Sequence, residues 1–437
     1  MIGFFIVAAI AISIVLGYKT KINTGFYCFA FAYIIGCFIM DISTKELLSY
    51  WPLSTMFVIL AVSLFYNFAT INGTLEKLSL YILYLCRGVP GMLPYALFLV
   101  TFILSILGAS YFTMIAFMAP ITMLICQEAR MDKLTGAVAI NCGALAGGNF
   151  PTASLGVIFC GWMDTAYSNE PDLTPLSTFS TELTIFLVSI VFSILLVSIF
   201  RFGFKENRNI GAGAAFKKPK AFDSKQKITL ILMALMMLSV LIFPVLHLGL
   251  PENAWIADMN GRIDVGMVAM VFTVIAFLLK LAPQKEVITR VPWETILLVS
   301  GAGTLVAVAI KAGVINAISI WIGAHVPFAF IPVAFSLIAA FISFFSSMTG
   351  VVAPALFPLI PALAVNMGIN PIVLFACVIL GGQSCAISPI SSGGSLILGT
   401  CEDEEERNHL FGRLLFVVIP ISIISCTIYN VMLTFVM

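Results

Sequence analysis

An all-α integral membrane fold is what this sequence predicts: an inverted-repeat bundle of about ten spans plus two re-entrant hairpins, with a broken helix after each hairpin. Three observations point there. The 437 residues are 61% hydrophobic and only 10% charged, with a mean hydropathy of +1.09, and apolar runs of spanning length recur along the whole chain. Gly147-Gly148-Asn149, followed by Ser154, returns 234 residues later as Gly381-Gly382-Gln383, followed by Ser388. Lysine and arginine gather in one long polar stretch between the two copies.

The elements follow in order. Ile2 to Tyr18 has neither a charged leader nor a small-residue cleavage site before Lys19, so it is kept as a helix rather than a signal peptide. Helices at 24–41 and 53–72 come next. The apolar stretch 91–126 is flanked by Arg87 on one side and by Arg130 with Lys133 on the other, so both ends face the same compartment. That pattern is a hairpin or two spans; the hairpin is favoured, with Gly108-Ala109-Ser110 as its turn. A broken helix at 134–163 and a span at 179–203 close the first half, residues 1–203.

Residues 204–227 form a basic cytoplasmic linker; from Arg201 to Lys227 the net charge is +6, a solvated stretch that fixes orientation. The second half, 228–437, repeats the plan: spans at 228–249, 265–281 and 293–312, a hairpin at 326–365, a broken helix at 371–400 and a last helix at 412–436. Walking outward from the linker gives the halves opposite orientation. The acidic run Glu402 to Glu406 fits this least well, because it falls on the cytoplasmic side.

The internal match extends beyond the glycine pairs. Pro52, Thr55, Gly73 and Ser79 align with Pro292, Thr295, Gly313 and Ser319, and Ser110 to Thr113 aligns with Ser346 to Thr349. Collinear blocks with a slowly drifting offset are the mark of a duplicated unit. Irregular backbone at membrane depth is tolerated only where protein buries it or a cavity lies beside it. Paired interruptions in two halves therefore point to the binding site of a transporter.

Composition also excludes. A net charge of +1 offers nothing to nucleic acid. The ten cysteines are scattered singly without a CxxC pair, and His247, His325 and His409 lie far apart, so neither a zinc site nor a disulfide framework is expected. No nucleophile with a base is visible at membrane depth, so the chain is not read as an enzyme.

The order hairpin, hydroxyl tip, helix, Gly-Gly-polar break, repeated upside down, resembles the ion transporter superfamily of divalent-anion carriers. The stretch from Asn72-Gly73-Thr74 through Arg87-Gly88, Pro94 and Ala119-Pro120 to Gly147-Gly148 resembles the N-terminal half of the MatC-type malonate and C4-dicarboxylate carriers. Ser388-Pro389-Ile390-Ser391 resembles the second break of that family, and Pro292-Trp293 with Gly301-Ala302-Gly303 is similar to the wider sodium symporter group. The resemblance implies a multi-pass inner (plasma) membrane protein, a homodimer of elevator type, carboxylate substrates and sodium as coupling ion, with no other cofactor. The tips depart from that group's Ser-Asn-Thr pattern, since neither Ser110 to Thr113 nor Ser346 to Thr349 contains Asn.

No Asp, Glu, Lys or Arg lies in any tip or break, so a neutral site is expected, in which helix N-termini and hydroxyls hold a carboxylate. The expected substrate contacts are Ser110, Thr113, Asn149, Thr152, Ser154, Ser346, Ser347, Thr349, Gln383, Ser388 and Ser391. The expected sodium ligands are oxygens of Ser110, Gly147, Gly148, Asn149, Thr349, Gly382 and Gln383. The bland alternative is that the hydroxyls and glycines serve only helix packing. Rival functions are an ion antiporter or a metalloid efflux protein of the same superfamily; the first needs a titratable membrane carboxylate, the second a thiol site, and Cys142 and Cys385 lie near the breaks.

Overall fold

The computed structural model describes residues 2–20, 22–85, 90–168, 177–204, 219–250, 253–314, 317, 320–321, 325–327, 330–345, 348–389, 391–401 and 404–437. Among them every regular element is helical.

The first half runs α1 (Ile2–Thr20), α2 (Thr24–Tyr33, continued as a π-helix over Ile34–Ile39), α3 (Thr44–Ser49), α4 (Leu53–Ile71) and α5 (Thr74–Leu85). It continues through α6 (Leu93–Ile106), α7 (Tyr111–Ala129), α8 (Lys133–Gly148), α9 (Ser154–Ser168) and α10 (Thr178–Gly203). The second half comprises α11 (Ser224–Gly249), α12 (Ala254–Arg262), α13 (Val265–Leu278), α14 (Gln284–Thr289), α15 (Trp293–Lys311), α16 (Ile331–Phe345), α17 (Met348–Met367), α18 (Pro371–Gln383), α19 (Ser392–Leu398) and α20 (Glu404–Val436). Five of these, α7, α10, α11 from Ser224 to Phe243, α17 and α20, are long and apolar enough to cross a membrane, and several shorter apolar helices accompany them. Phe202, Leu278, Phe341, Phe416 and Phe435 stand exposed, an apolar exterior suited to lipid.

The expected helices are present, with differences that have local causes. The turn of the first hairpin stretch falls on Leu107 to Ser110, where Gly108 takes φ +92°, a conformation that strains any side chain. The short connectors α3, α12 and α14 were not expected; each is too brief to leave a spanning signature, but α3 and α12 carry Ser43 and Asn253 as N-caps. The last helix begins at Glu404, eight residues before the expected start. Its polar turns are tied down, because Glu406 pairs with Lys133 and Arg413 grips Asp132 with bonds of 2.7 and 3.2 Å. Lys133 and the acidic run therefore share one end of the bundle. In α17, Pro354, Pro358 and Pro361 remove backbone donors, and the helix alternates π, α and 3-10 turns. Residues 205–218 of the linker, and Ser346 and Ser347 at the second tip, lie outside the described residues.

Matched positions in the two halves share backbone geometry. Pro52 and Pro292, which precede α4 and α15, have φ/ψ of −75°/67° and −76°/66°. Gly73 and Gly313, just beyond the same helices, have φ of +73° and +72°. The long helices interlock across the halves: α2 packs on α15, and α13 on α4. Within each half the broken helix lies along the first arm of the preceding stretch, α8 on α6 and α18 on α16.

Glycine explains how close that approach is. A Cβ on Gly147 would stand 2.2 Å from the Phe102 carbonyl oxygen, and one on Gly381 would stand 2.4 Å from the Ser336 carbonyl oxygen. Phe102 and Ser336 are themselves 234 residues apart, the same spacing as Asn149 and Gln383. The first glycine of each pair is thus a helix-packing residue, whatever its carbonyl does.

Candidate functional site

The two breaks meet. Asn149, the C-cap of α8, donates from Nδ2 to Gln383 Oε1 at 3.1 Å, and Gln383 donates from Nε2 to Asn149 Oδ1 at 2.6 Å. Both amides are buried, and each uses one donor and one acceptor on the other. This reciprocal pair closes the centre of the molecule across the two halves.

Beside it lies a cavity of about 120 Å³. The first turn of α7 (Ser110, Tyr111, Phe112, Thr113) and the first turn of α9 (Ser154, Leu155, Val157, Ile158) both line it. Ser63, Asn67 and Thr70 of α4, together with Thr349 and Arg290, complete the polar wall. Two helix N-termini thus present their positive ends to one space. Ser110 caps α7, its Oγ accepting from Thr113 N at 3.3 Å and bonding the Thr113 hydroxyl at 2.8 Å. Ser154 Oγ is buried without a partner, and so is Thr152 Oγ1 in the break just before it. A buried hydroxyl left unpaired costs about 1–3 kcal/mol, so an unpaired pair in a break is an unusual expense for packing alone.

The expected residues divide into groups. Ser110, Thr113, Ser154 and Thr349 share the cavity. Asn149 and Gln383 bond each other and do not line it. The carbonyls of Gly147 and Gly382 accept the backbone N–H of Phe150 and Cys385 at 3.2 and 3.3 Å, and Gly148 packs on Leu155. Among the described residues of the second break, Ser391 Oγ lies 2.7 Å from the carbonyls of both Ala386 and Ser388 as a shared donor, and the fully buried Ser388 lies away from the cavity lining. Ser346 and Ser347 lie outside the described residues.

Sequence reasoning missed three participants and one buried acid. Tyr111 is buried and donates to Asn141 Oδ1 at 2.7 Å and to the Ala386 carbonyl at 3.2 Å, joining the α7 tip to the second break. Asn67 donates to the Val287 carbonyl at 3.0 Å from the cavity wall. Arg290, an exposed residue, lines one edge of a cavity expected to carry no charge; it sits in a connector remote in sequence from either tip, and the packing of α14 and α15 on α4 brings it there. Glu182 in α10 is fully buried with neither carboxylate oxygen partnered. Its sequence signal was a lone acid in a 26-residue apolar helix, outside the tips and breaks where acids were sought. Among the described residues no three His, Cys, Asp or Glu side chains assemble into a metal-holding group.

Residues 1–148 match the family model for the dicarboxylate carrier protein MatC N-terminus. The resemblance drawn from Asn72 through Gly148 is borne out over that third of the chain. No curated protein sequence is detectably similar to the chain. Two solved structures share its fold. The Alcanivorax borkumensis YdaH transporter superposes with a TM-score of 0.63 at 17% identity, covering 92% of this chain and 88% of that one. Neisseria gonorrhoeae MtrF superposes with a TM-score of 0.58 at 14% identity, covering 93% and 84%. The apolar exterior, the carrier-type N-terminal region and the shared fold agree on a membrane protein.

Proposed function

We propose that this chain is a secondary active transporter of small dicarboxylate-type anions. One observation carries the reading: two helix N-termini, an unpartnered serine hydroxyl and an arginine line a single cavity beside the contact of two broken helices. Such a cavity suits a carboxylate, which takes hydrogen bonds from hydroxyls and first-turn amides and charge from Arg290. The match of residues 1–148 to a dicarboxylate carrier region supports the same substrate class.

The finer reading is sodium symport by an elevator motion in a homodimer of the inner membrane, with two inverted halves as the moving parts. Sodium fits the residues present, because the cavity and the breaks offer uncharged oxygens: Ser110, Thr349 and the unpartnered Thr152 and Ser154. The cation would offset the second carboxylate charge that Arg290 leaves uncompensated. The same positive-inside argument that puts the linker in the cytoplasm puts Arg290 on the cytoplasmic side.

MtrF belongs to a class described as antimetabolite efflux pumps, so direction is tested together with substrate. Purified protein in liposomes, loaded or bathed with malonate, succinate or citrate and given a sodium gradient in either direction, decides both. Saturable, sodium-dependent malonate or succinate movement is expected. Thr349→Ala should weaken it with the fold intact. Absence of movement for all three acids under every gradient would end the carboxylate reading.

A further inference from the structure

Glu182 is used by nothing described so far. It lies in the second turn of α10, has no exposed surface, and neither oxygen of its carboxylate meets a hydrogen-bond donor. Thr181 beside it is also buried with an unpartnered hydroxyl. An ionised carboxylate in that setting, without a counter-charge, is penalised by several kcal/mol. As a neutral acid the same side chain costs far less.

Its surroundings hold no described cation. From α9, Cys160 stands next to it and bonds the Thr178 carbonyl at the start of α10, while Asp164, one turn further along α9, hydrogen-bonds Thr178. The other titratable groups on helices packed against α10 are engaged elsewhere or are themselves apolar in setting. Tyr95 of α6 bonds Ser198, Tyr167 of α9 packs on Phe375, Tyr429 of α20 donates to the Val188 carbonyl, Arg413 of α20 pairs with Asp132, and Lys133 of α8 pairs with Glu406. Cys142 of α8, Cys377 of α18 and Cys426 of α20 are buried thiols.

Two routes connect Glu182 to the first break. Four residues on, on the same helix face, Phe186 meets Phe150 of the break edge-on at 5.1 Å and stacks on Phe102 at 5.8 Å. Cys160 belongs to α9, whose first turn lines the cavity. Both walls around Glu182 are therefore tied to the segment Asn149 to Ala153, α10 through Phe186 and α9 as its continuation.

We infer that Glu182 is a proton-binding site linked to the first break: its carboxyl holds one proton while α9 and α10 are closed on each other, and returns that proton to water when the break rearranges and solvates it. The transported species would then move with a proton gradient, beside or in place of sodium. That last step rests on the proposed transport function; the protonation does not.

Infrared spectroscopy of the purified wild type and of Glu182→Gln at neutral pH tests the protonation directly, in sodium buffer and in choline buffer. The expected result is a carbonyl-stretch band of a protonated carboxylic acid in the wild type in both buffers, lost in the variant. Spectra that coincide in that region would overturn the inference, and so would a wild-type band that vanishes on adding sodium, which would make this a cation site. Glu182→Leu is the second variant. A neutral acid in an apolar setting predicts that it elutes and melts like the wild type, whereas unfolding would point to an ionised, structurally paired carboxylate. Should neither variant fold, titrating the wild-type band decides: persistence above the ordinary carboxylic range supports the site, and loss within that range removes it. In liposomes, an inward proton gradient should accelerate malonate uptake by the wild type and not by Glu182→Gln. A wild type that carries no malonate would sink the transport reading and leave the infrared result standing.

Discussion

The two breaks carry the same motif and end in different states. After Gly147-Gly148-Asn149 the chain leaves Thr152 and Ser154 unpartnered, then starts the 15-residue helix α9 at the cavity wall. After Gly381-Gly382-Gln383 the hydroxyls of Ser384 and Ser391 bond nearby carbonyls, and the helix that follows, α19, has only seven residues. A motif present twice thus has, among the described residues, unpartnered hydroxyls after one copy and bonded ones after the other. What is common to both is what packing requires: a glycine against a facing carbonyl, and an amide that reaches its counterpart. What differs is how many polar groups are left over, and only the leftover groups are available to a ligand.

That comparison can be broken or sharpened by substitution. The largest effects should fall on the shared elements. Gly147→Ala and Gly381→Ala each force a methyl against a carbonyl and should each cost about 3 kcal/mol in detergent unfolding. A large loss in one and none in the other would show that the halves are not packed alike. Next comes the amide pair. Asn149→Leu alone strands Gln383 and should cost about 2 kcal/mol, while Asn149→Leu with Gln383→Leu should recover much of it. Additive losses would mean that the two amides are not coupled.

Function should separate the breaks more finely. Arg290→Ala should slow malonate uptake about tenfold at low ionic strength, with the deficit shrinking as salt is added. Ser154→Ala removes an unpartnered hydroxyl, so it should reduce uptake without loss of stability; Ser391→Ala, which removes a hydroxyl bonded within the second break, should cost about 1 kcal/mol of stability and leave substrate affinity unchanged. The reverse pattern would move the site to the second break. The smallest effect is expected at the far end of the bundle. The Lys311 ammonium beside Glu46 holds that carboxyl below its usual range. Any stability from this exposed pair is therefore present above the ordinary glutamate range and fades as the pH drops through the depressed value. Glu46→Gln should leave the melting temperature at neutral pH essentially unchanged.

Much of the fold was legible because membrane helices announce themselves. Hydropathy marks their length, and the turn at Gly108 and the stops at Asn149 and Gln383 lie where glycine and amides interrupt it. The short connectors were not legible, since six residues such as Thr44–Ser49 or Gln284–Thr289 carry no apolar period to read. For the site, Ser110, Thr113, Ser154 and Thr349 were found because hydroxyls at tips and breaks are conspicuous in apolar surroundings. Arg290 was not, because a charge at the end of a span reads as an anchor, and nothing local says which neighbour it will face. Glu182 was visible as a letter, but its burial depends on α9 folding over α10, which no single segment encodes.

The sequence by itself determined the apolar helices and their punctuation, because these follow from local hydropathy and from the backbone limits of glycine and proline. Tertiary packing alone decided which copies of the motif touch, which hydroxyls are left unpartnered, and which ionisable side chains stand at the cavity and in the buried core. The physical reason is that local bonds such as those of Ser384 and Ser391 settle only part of polar satisfaction: Asn149, Gln383 and Tyr111 find their partners on segments brought from elsewhere in the chain.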